Sequence, residues 1–224
     1  IQLIYSGMIK LIPAVIGLLI SLQIQAQTNI NWGFKGGITV SKYSQWSSTD
    51  TTLKKFYTKE PGGRVLVNIA FFAEWLNSSY LSTVGEISYN PKGASFGYPT
   101  LDGYGNVTGE EFINNRTGYL SLMVCEKARL GWNSMNFYVY AGPRLDLEIN
   151  DNTDIDFAST YKEFNKTIFG LTTGFGAEFI GRRFKILTEF QYEPDLAYTL
   201  DDTYGRVKKN TWLARIGVGI IGKK

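Results

Sequence analysis

The stretch Phe169-Gly170-Leu171-Thr172-Thr173-Gly174-Phe175-Gly176-Ala177-Glu178-Phe179 decides the fold. Its odd positions read Phe, Leu, Thr, Phe, Ala, Phe, and its even positions Gly, Thr, Gly, Gly, Glu. A repeat of two sends alternate side chains to opposite faces of a β-strand, so one face here is apolar and the other small or charged. The same alternation recurs over residues 32–41, 65–75, 81–89, 119–129, 137–147, 184–192 and 212–220, which makes eight candidate strands. Most are about ten residues long, the length a tilted strand needs to cross hydrocarbon.

The connections add a second rhythm. Short links at 76–80, 130–136 and 180–183 alternate with long polar segments at 42–64, 90–118, 148–168 and 193–211. An up-and-down membrane barrel, with short turns at one end and long loops at the other, has this pattern. A soluble lipocalin-like carrier of small ligands also alternates, but with its apolar face inside. Glycine placement separates the two. Gly33, Gly37, Gly118, Gly142, Gly170, Gly174, Gly176, Gly217 and Gly219 all fall on the charged face. Glycine weakens a strand on an open surface and is useful where side chains crowd, as inside a barrel of eight strands. The charged face is therefore the lumen, and the apolar face meets lipid. Phe34, Trp75, Phe137, Phe179 and Phe184 come near one rim, and Tyr89, Phe169, Tyr192 and Trp212 near the other. Two such aromatic girdles belong at the two headgroup levels. The expected fold is all-β: an eight-stranded antiparallel up-and-down transmembrane β-barrel.

Composition narrows the function. The chain has 224 residues, a formal charge of +3, no His and one Cys. Absence of His removes the commonest general base and metal ligand, and a single Cys excludes disulfide frameworks and multi-thiolate metal sites. A charge this small carries no nucleic-acid footprint. Met8-Ile9-Lys10, an apolar run to Ile20 and Ala26 match a secretory signal peptide, with residues 1–7 as upstream read-through. The expected organisation is a signal peptide over 1–26 and one outer-membrane barrel domain over 27–224.

On the lumen side the alternation places Lys35, Lys127, Arg129, Arg144, Lys185 and Arg215 against Glu74, Glu86, Asp146, Glu178 and Glu189. Buried charges pair or lose their ionisation. Lys35, Glu74, Glu86, Arg144, Asp146, Glu178, Lys185, Glu189 and Arg215 are therefore expected to form a structural network filling the barrel. The rival is a narrow path for ions or small solutes lined by the same charges. Glu86 and Glu178 are acid–base candidates by residue type, but lack a partner set. The run Asp151-Asn152-Thr153-Asp154-Ile155-Asp156 lacks the Gly that a calcium loop needs at its sixth position. Cys125 falls on an inward row. Glu126 is the exception: alternation from Leu120, Leu122 and Val124 points it at lipid. Either it sits low, near the headgroups, or a bulge shifts the register after Cys125.

Phe71-Phe72-Ala73-Glu74-Trp75 and the run Val84-Gly85-Glu86-Ile87-Ser88-Tyr89-Asn90-Pro91-Lys92-Gly93-Ala94 resemble the PorT-like outer-membrane β-barrel proteins of gram-negative bacteria. Their shared pattern is an alternating strand, a short turn, and a strand ending in Lys-Gly. Further similarity lies in 32–41, 119–127, Ala141-Gly142-Pro143 and 210–219, so it spans nearly all of the chain after the leader. Two departures are Met123, where the family often has Pro, and a C-terminus without the terminal aromatic read by the barrel-assembly machinery. The resemblance implies the outer membrane as location, and a part in secretion or gliding machinery for the founding members. The resulting expectation is a non-enzymatic barrel with no cofactor, no metal and no catalytic residues. Its partners are outer-membrane lipid, the assembly machinery during insertion, and proteins at the extracellular loops, especially 90–118. A narrow channel and a soluble carrier are the alternatives.

Overall fold

The computed structural model describes residues 30–48, 62–76, 78–104, 106–132, 134–153, 165–202 and 205–222. The leader read over 1–26 lies outside them. The strands are β1 (Asn31–Ser48), β2 (Gly62–Trp75), β3 (Leu81–Leu101), β4 (Val107–Trp132), β5 (Met135–Thr153), β6 (Thr167–Ile180), β7 (Phe184–Pro194), β8 (Leu200–Asp202) and β9 (Gly205–Ile220). Neighbours pair antiparallel in the order β1-β2-β3-β4-β5-β6-β7-β9, and β9 returns to β1. That last pairing runs from Trp32↔Ile220 to Ser48↔Gly205 and closes an eight-stranded barrel. The three-residue β8 pairs only with the outer end of β9 and adds no stave to the wall.

Faces follow the alternation. In β7 every other residue is buried, with Lys185, Leu187, Glu189, Gln191 and Glu193 inside and Phe184, Ile186 and Phe190 outside. Phe34, Ile38, Val67, Phe137, Val139, Phe169, Phe175, Phe179 and Trp212 are likewise exposed on the outer wall. Tyr192 and Trp212 stack on that wall with ring centroids 4.2 Å apart, and Phe34 meets Phe71 edge-on at 5.4 Å. An apolar exterior around a polar interior inverts a soluble barrel and overturns the lipocalin-like alternative. Several lumen glycines sit where strands crowd. A Cβ at Gly33 would run into the Val218 carbonyl, and one at Gly217 would lie 2.8 Å from Lys35 Cγ.

At one end the chain reverses tightly. Leu76, with φ of 52°, ends β2, and the Ser78 hydroxyl accepts the Leu81 N–H at 2.9 Å. The link expected over 130–136 is tighter than the sequence suggests, because Trp132 already pairs with Met135. At the other end the strands run further than expected. Residues 90–118 are not a loop: β3 and β4 stay paired from Pro91↔Gly118 to Thr100↔Gly109. Pro91 and Pro99 read as breakers, yet neither costs a ladder bond. Among the described residues the β2–β3 pairing is interrupted opposite Pro91 and reaches no further than Gly62↔Ser95, so neither proline has a β2 partner there. The reversal is at Asp102-Gly103, where the Asp102 carboxylate accepts the N–H groups of Tyr104 at 2.9 Å and Asn106 at 2.8 Å. The same overrun carries β1 to Ser48, β5 to Thr153 and β9 back to Gly205, shortening the other long loops.

Candidate functional site

Among the described residues charge concentrates in the lumen, where it is stacked in tiers. Near the tight-turn end, Glu74 from β2 and Glu178 from β6 face Lys127 and Arg129 of β4 and Lys185 of β7. Glu74 accepts from Arg129 Nη2 at 2.5 Å, from Ser82 Oγ at 2.6 Å and from the Lys185 ammonium. Glu178 accepts from Lys127 Nζ at 2.7 Å and Asn136 Nδ2 at 3.0 Å. Above them Phe72, Val84, Met123, Cys125, Tyr138, Tyr140 and Leu187 form a partly aromatic layer. Lys127 Nζ lies 4.0 Å from the Tyr138 ring centre and Lys35 Nζ 4.8 Å from that of Phe72, so cations roof this layer on both sides.

The middle tier is a ring of two cations and two carboxylates from four strands. Lys35 Nζ donates to Glu86 and to Glu189, each at 2.9 Å. Arg215 Nη1 donates to Glu86 Oε1 at 2.5 Å and Nη2 to Glu189 Oε2 at 3.0 Å. Tyr138 Oη adds a third bond to Glu189 at 2.9 Å, and Gln191 accepts from both Tyr140 and Arg215. The outer tier joins Lys92 and Arg144 to Asp146, Glu193 and Asp195. Lys92 Nζ lies 2.6 Å from Asp146 Oδ2, and Arg144 Nη2 lies 2.6 Å from Asp195 Oδ1. Glu193 also accepts from Asn90 Nδ2 at 2.7 Å. Lys209 of β9 donates to Tyr119 Oη at 3.2 Å in the same tier.

All nine sequence-derived network residues, Lys35, Glu74, Glu86, Arg144, Asp146, Glu178, Lys185, Glu189 and Arg215, therefore lie in the lumen, each buried. They do not form one cluster: Glu74, Glu178 and Lys185 are in the inner tier, Lys35, Glu86, Glu189 and Arg215 in the middle, and Arg144 with Asp146 in the outer. Lys92, Glu193, Asp195 and Lys209 were not among the expected residues, because 90–118 and 193–211 read as loop. Their alternation with buried neighbours, Asn90 before Lys92 and Gln191 before Glu193, was the available signal.

Glu126 resolves without a bulge. The β3–β4 register runs unbroken through Thr83↔Glu126, Lys127 is buried, and Arg129 reaches Glu74 in the lumen. Glu126 therefore faces outward, where Thr83 Oγ1 donates to it at 2.9 Å. Thr83 is two residues into β3, at the tight-turn end, in keeping with the low position. Cys125 is 1% exposed. Of the acidic run after Asn150, Asp154 to Asp156 lie outside the described residues, and no group of three metal-binding side chains occurs among the described ones.

Chemically, the lumen holds ionised groups against one another and leaves little room. A pocket of about 10 Å³ lies between the inner and middle tiers, bordered by Phe72, Glu74, Tyr140 and Glu189. That is the room of about one water molecule. Outside the barrel, β3 and β4 continue as a two-stranded hairpin. Among the described residues, nothing pairs with β3 beyond Ser95 or with β4 before Asn115 except the other strand. Tyr104 (94% exposed), Val107 and Phe112 stand on it in the open.

Comparison with known proteins agrees with the architecture. A family described as outer membrane protein beta-barrel domain matches residues 25–204. No curated protein matches the chain. Among solved structures, the outer membrane protein AlkL in lipid bilayers is similar over 89% of this chain and 92% of its own, at 11% identity and a TM-score of 0.50. Neisserial surface protein A matches over 84% and 96%, at 11% identity and a TM-score of 0.46. Outer membrane protein W of E. coli matches over 88% and 99%, at 11% identity and a TM-score of 0.46. At such identities the likeness is one of fold. With the family match covering most of its length, a lipid-facing exterior and a closed eight-stranded wall, this chain belongs to the outer membrane protein β-barrel domain family.

Proposed function

We propose that this protein is a non-enzymatic barrel of the outer membrane that works through its extracellular end, as a docking component of a membrane assembly. The β3–β4 hairpin carries this reading: it stands clear of the barrel with apolar side chains exposed, where a purely structural barrel gains nothing from them. The charged lumen then acts as a rigid filling that holds the wall in shape. In support, the lumen carboxylates are engaged by cations and hydroxyls rather than poised beside an open cleft. The resemblance to PorT-like proteins points to a secretion- or gliding-type assembly, reached through a cleaved leader at 1–26 and the barrel-assembly machinery.

Replacing residues 97–112 by a short turn tests the reading. Cross-linked pull-down from native outer membranes is expected to lose its partner proteins, while folded and boiled samples still migrate differently on a gel. An unchanged partner set would overturn it. The tiers of charge stacked along the lumen favour one rival, a narrow channel. With a pocket of about 10 Å³ between the inner and middle tiers and the charges paired across the lumen, planar-bilayer recordings are expected to show no stable conductance steps. Regular, reproducible steps would establish the channel instead.

A further inference from the structure

The tight reversals at the short-turn end differ in charge. Segments 76–80 and 131–134 contain no charged residue, whereas the β6–β7 reversal is Gly181-Arg182-Arg183. Its geometry does not call for arginine. The Gly181 N–H donates to the Phe184 carbonyl at 2.9 Å, which leaves Arg182 and Arg183 at the tip. Two-residue hairpin loops favour Asn-Gly or Asp-Gly, whose backbones reach positive φ. Among the described non-glycine residues only Leu76 has a positive φ, so this tip is built without that chemistry. Both arginines are exposed, and among the described residues neither enters an ion pair.

The wall just inside the tip is apolar across several strands. Phe184 pairs with Ile220 and Ile220 with Trp32, all three outward and exposed. The next outward row is Phe179, Ile186, Val218 and Phe34, exposed as well. Glu178, which precedes the turn on β6, is turned into the lumen and held there by Lys127 and Lys185. No carboxylate in these two rows offsets the guanidiniums. The Ile221 N–H donates to the Arg183 carbonyl at 3.0 Å, which ties the tip to the end of β9. Two cations thus stand on an anchored tip at the rim of a lipid-facing surface, and Trp32 lies beside them as interfacial tryptophans do.

We propose that the Arg182–Arg183 tip binds the phosphate of one anionic phospholipid in the periplasmic leaflet, whose acyl chains lie over Phe184, Ile186, Ile220 and Trp32. The short turns of a membrane barrel face the periplasm, which sets the leaflet. Guanidinium planes grip phosphate oxygens through paired N–H donors. Two of them side by side favour a headgroup of net negative charge over one that carries its own ammonium or choline cation. An anionic wall polymer would meet the arginines but leave the apolar rows unused. The site lies at the opposite end of the barrel from the β3–β4 hairpin and is independent of its docking role.

The test uses the full-length protein in nanodiscs of equimolar phosphatidylglycerol, phosphatidylethanolamine and phosphatidylcholine with identical acyl chains. Retained lipids are counted by native mass spectrometry after release into mild detergent. One phosphatidylglycerol per barrel is expected, enriched about thirtyfold over phosphatidylcholine, since each basic residue beside an anionic headgroup contributes a factor of about five. Arg182→Gln and Arg183→Gln should each lower the enrichment to about fivefold, and the double variant should retain lipid in bulk proportion. Folding of each variant is checked by heat-modifiable migration. In the wild type alone, the preference should fade as ammonium acetate is raised. Wild-type retention that follows bulk composition, a preference for phosphatidylethanolamine, or full enrichment in the double variant would each overturn the proposal. So would arginine-dependent sedimentation with purified peptidoglycan in place of lipid enrichment.

Discussion

Replacing Arg215 by methionine removes one cation from the middle ring and leaves most of the side-chain volume. In the native barrel Arg215, with its side chain 1% exposed, bonds Glu86 at 2.5 Å and Glu189 at 3.0 Å, and Lys35 reaches both carboxylates at 2.9 Å. Two positive charges balance two negative ones. In the variant a single ammonium faces two carboxylates whose side chains are only 1% and 4% exposed, beside a pocket of about 10 Å³. Breaking a buried pair by deleting one partner costs about 3–5 kcal/mol. With a urea dependence of about 2 kcal/mol per M, the unfolding midpoint falls by roughly 2 M. The assay is equilibrium urea unfolding in detergent, approached from both directions and read by gel migration and tryptophan fluorescence. The double variant Arg215→Met/Glu86→Gln removes both signs, leaves Lys35 with Glu189, and should regain at least about half of the loss. A single variant within about 0.3 M of wild type would refute the reasoning, since it would mean that the lumen charges are already solvated.

Two further outcomes follow from the same geometry. Gly33→Val places a side chain against the Val218 carbonyl and 2.6 Å from Gly219 Cα, on the strand that closes the barrel. It should lose the folded gel band, whereas Gly36→Ala, whose nearest neighbour is 3.8 Å away, should stay within about 0.5 kcal/mol of wild type; an intact Gly33→Val barrel would contradict the closing register. Cys125, at 1% exposure, should resist maleimide in the folded protein and react fully in urea, and rapid labelling of the folded state would mean that the lumen admits reagents.

The inside and outside of this barrel were legible because a membrane inverts the usual choice. Gly170, Gly174, Gly176 and Glu178 share a face with one another and not with Phe169, Phe175 and Phe179, and no soluble core asks for that arrangement. Strand ends were not legible. Pro91, Gly93, Gly97 and Pro99 are breakers by local chemistry, and pairing with the strand Val107–Trp132 makes them β, with no β2 pairing beside those prolines among the described residues. The missed lumen residues Lys92, Glu193, Asp195 and Lys209 were lost for the same reason, since period-two reading stopped where the apolar face stopped. Which cation meets which carboxylate was also out of reach. Glu86 meets Arg215 across the lumen, and a separation of 129 positions carries no local signal of that contact.

The seam between β1 and β9 sets the order of assembly. Trp32 pairs with Ile220, so the first wall strand waits for the last before either is satisfied. Until then the sheet has two raw edges, each a template for pairing with another chain. Contacts so distant along the chain are slow to form, because the ends must first be brought together. Several lumen bonds also join strands that are distant along the chain, including Lys35 of β1 with Glu189 and Arg215 of β9 with Glu86, so these charges find their partners only as the seam shuts. An unclosed chain is therefore poor both at avoiding its neighbours and at burying its own charges. Shielding during transit and a site that brings β9 to β1 are requirements of this topology, and once the seam is made its opening must disrupt wall and filling together.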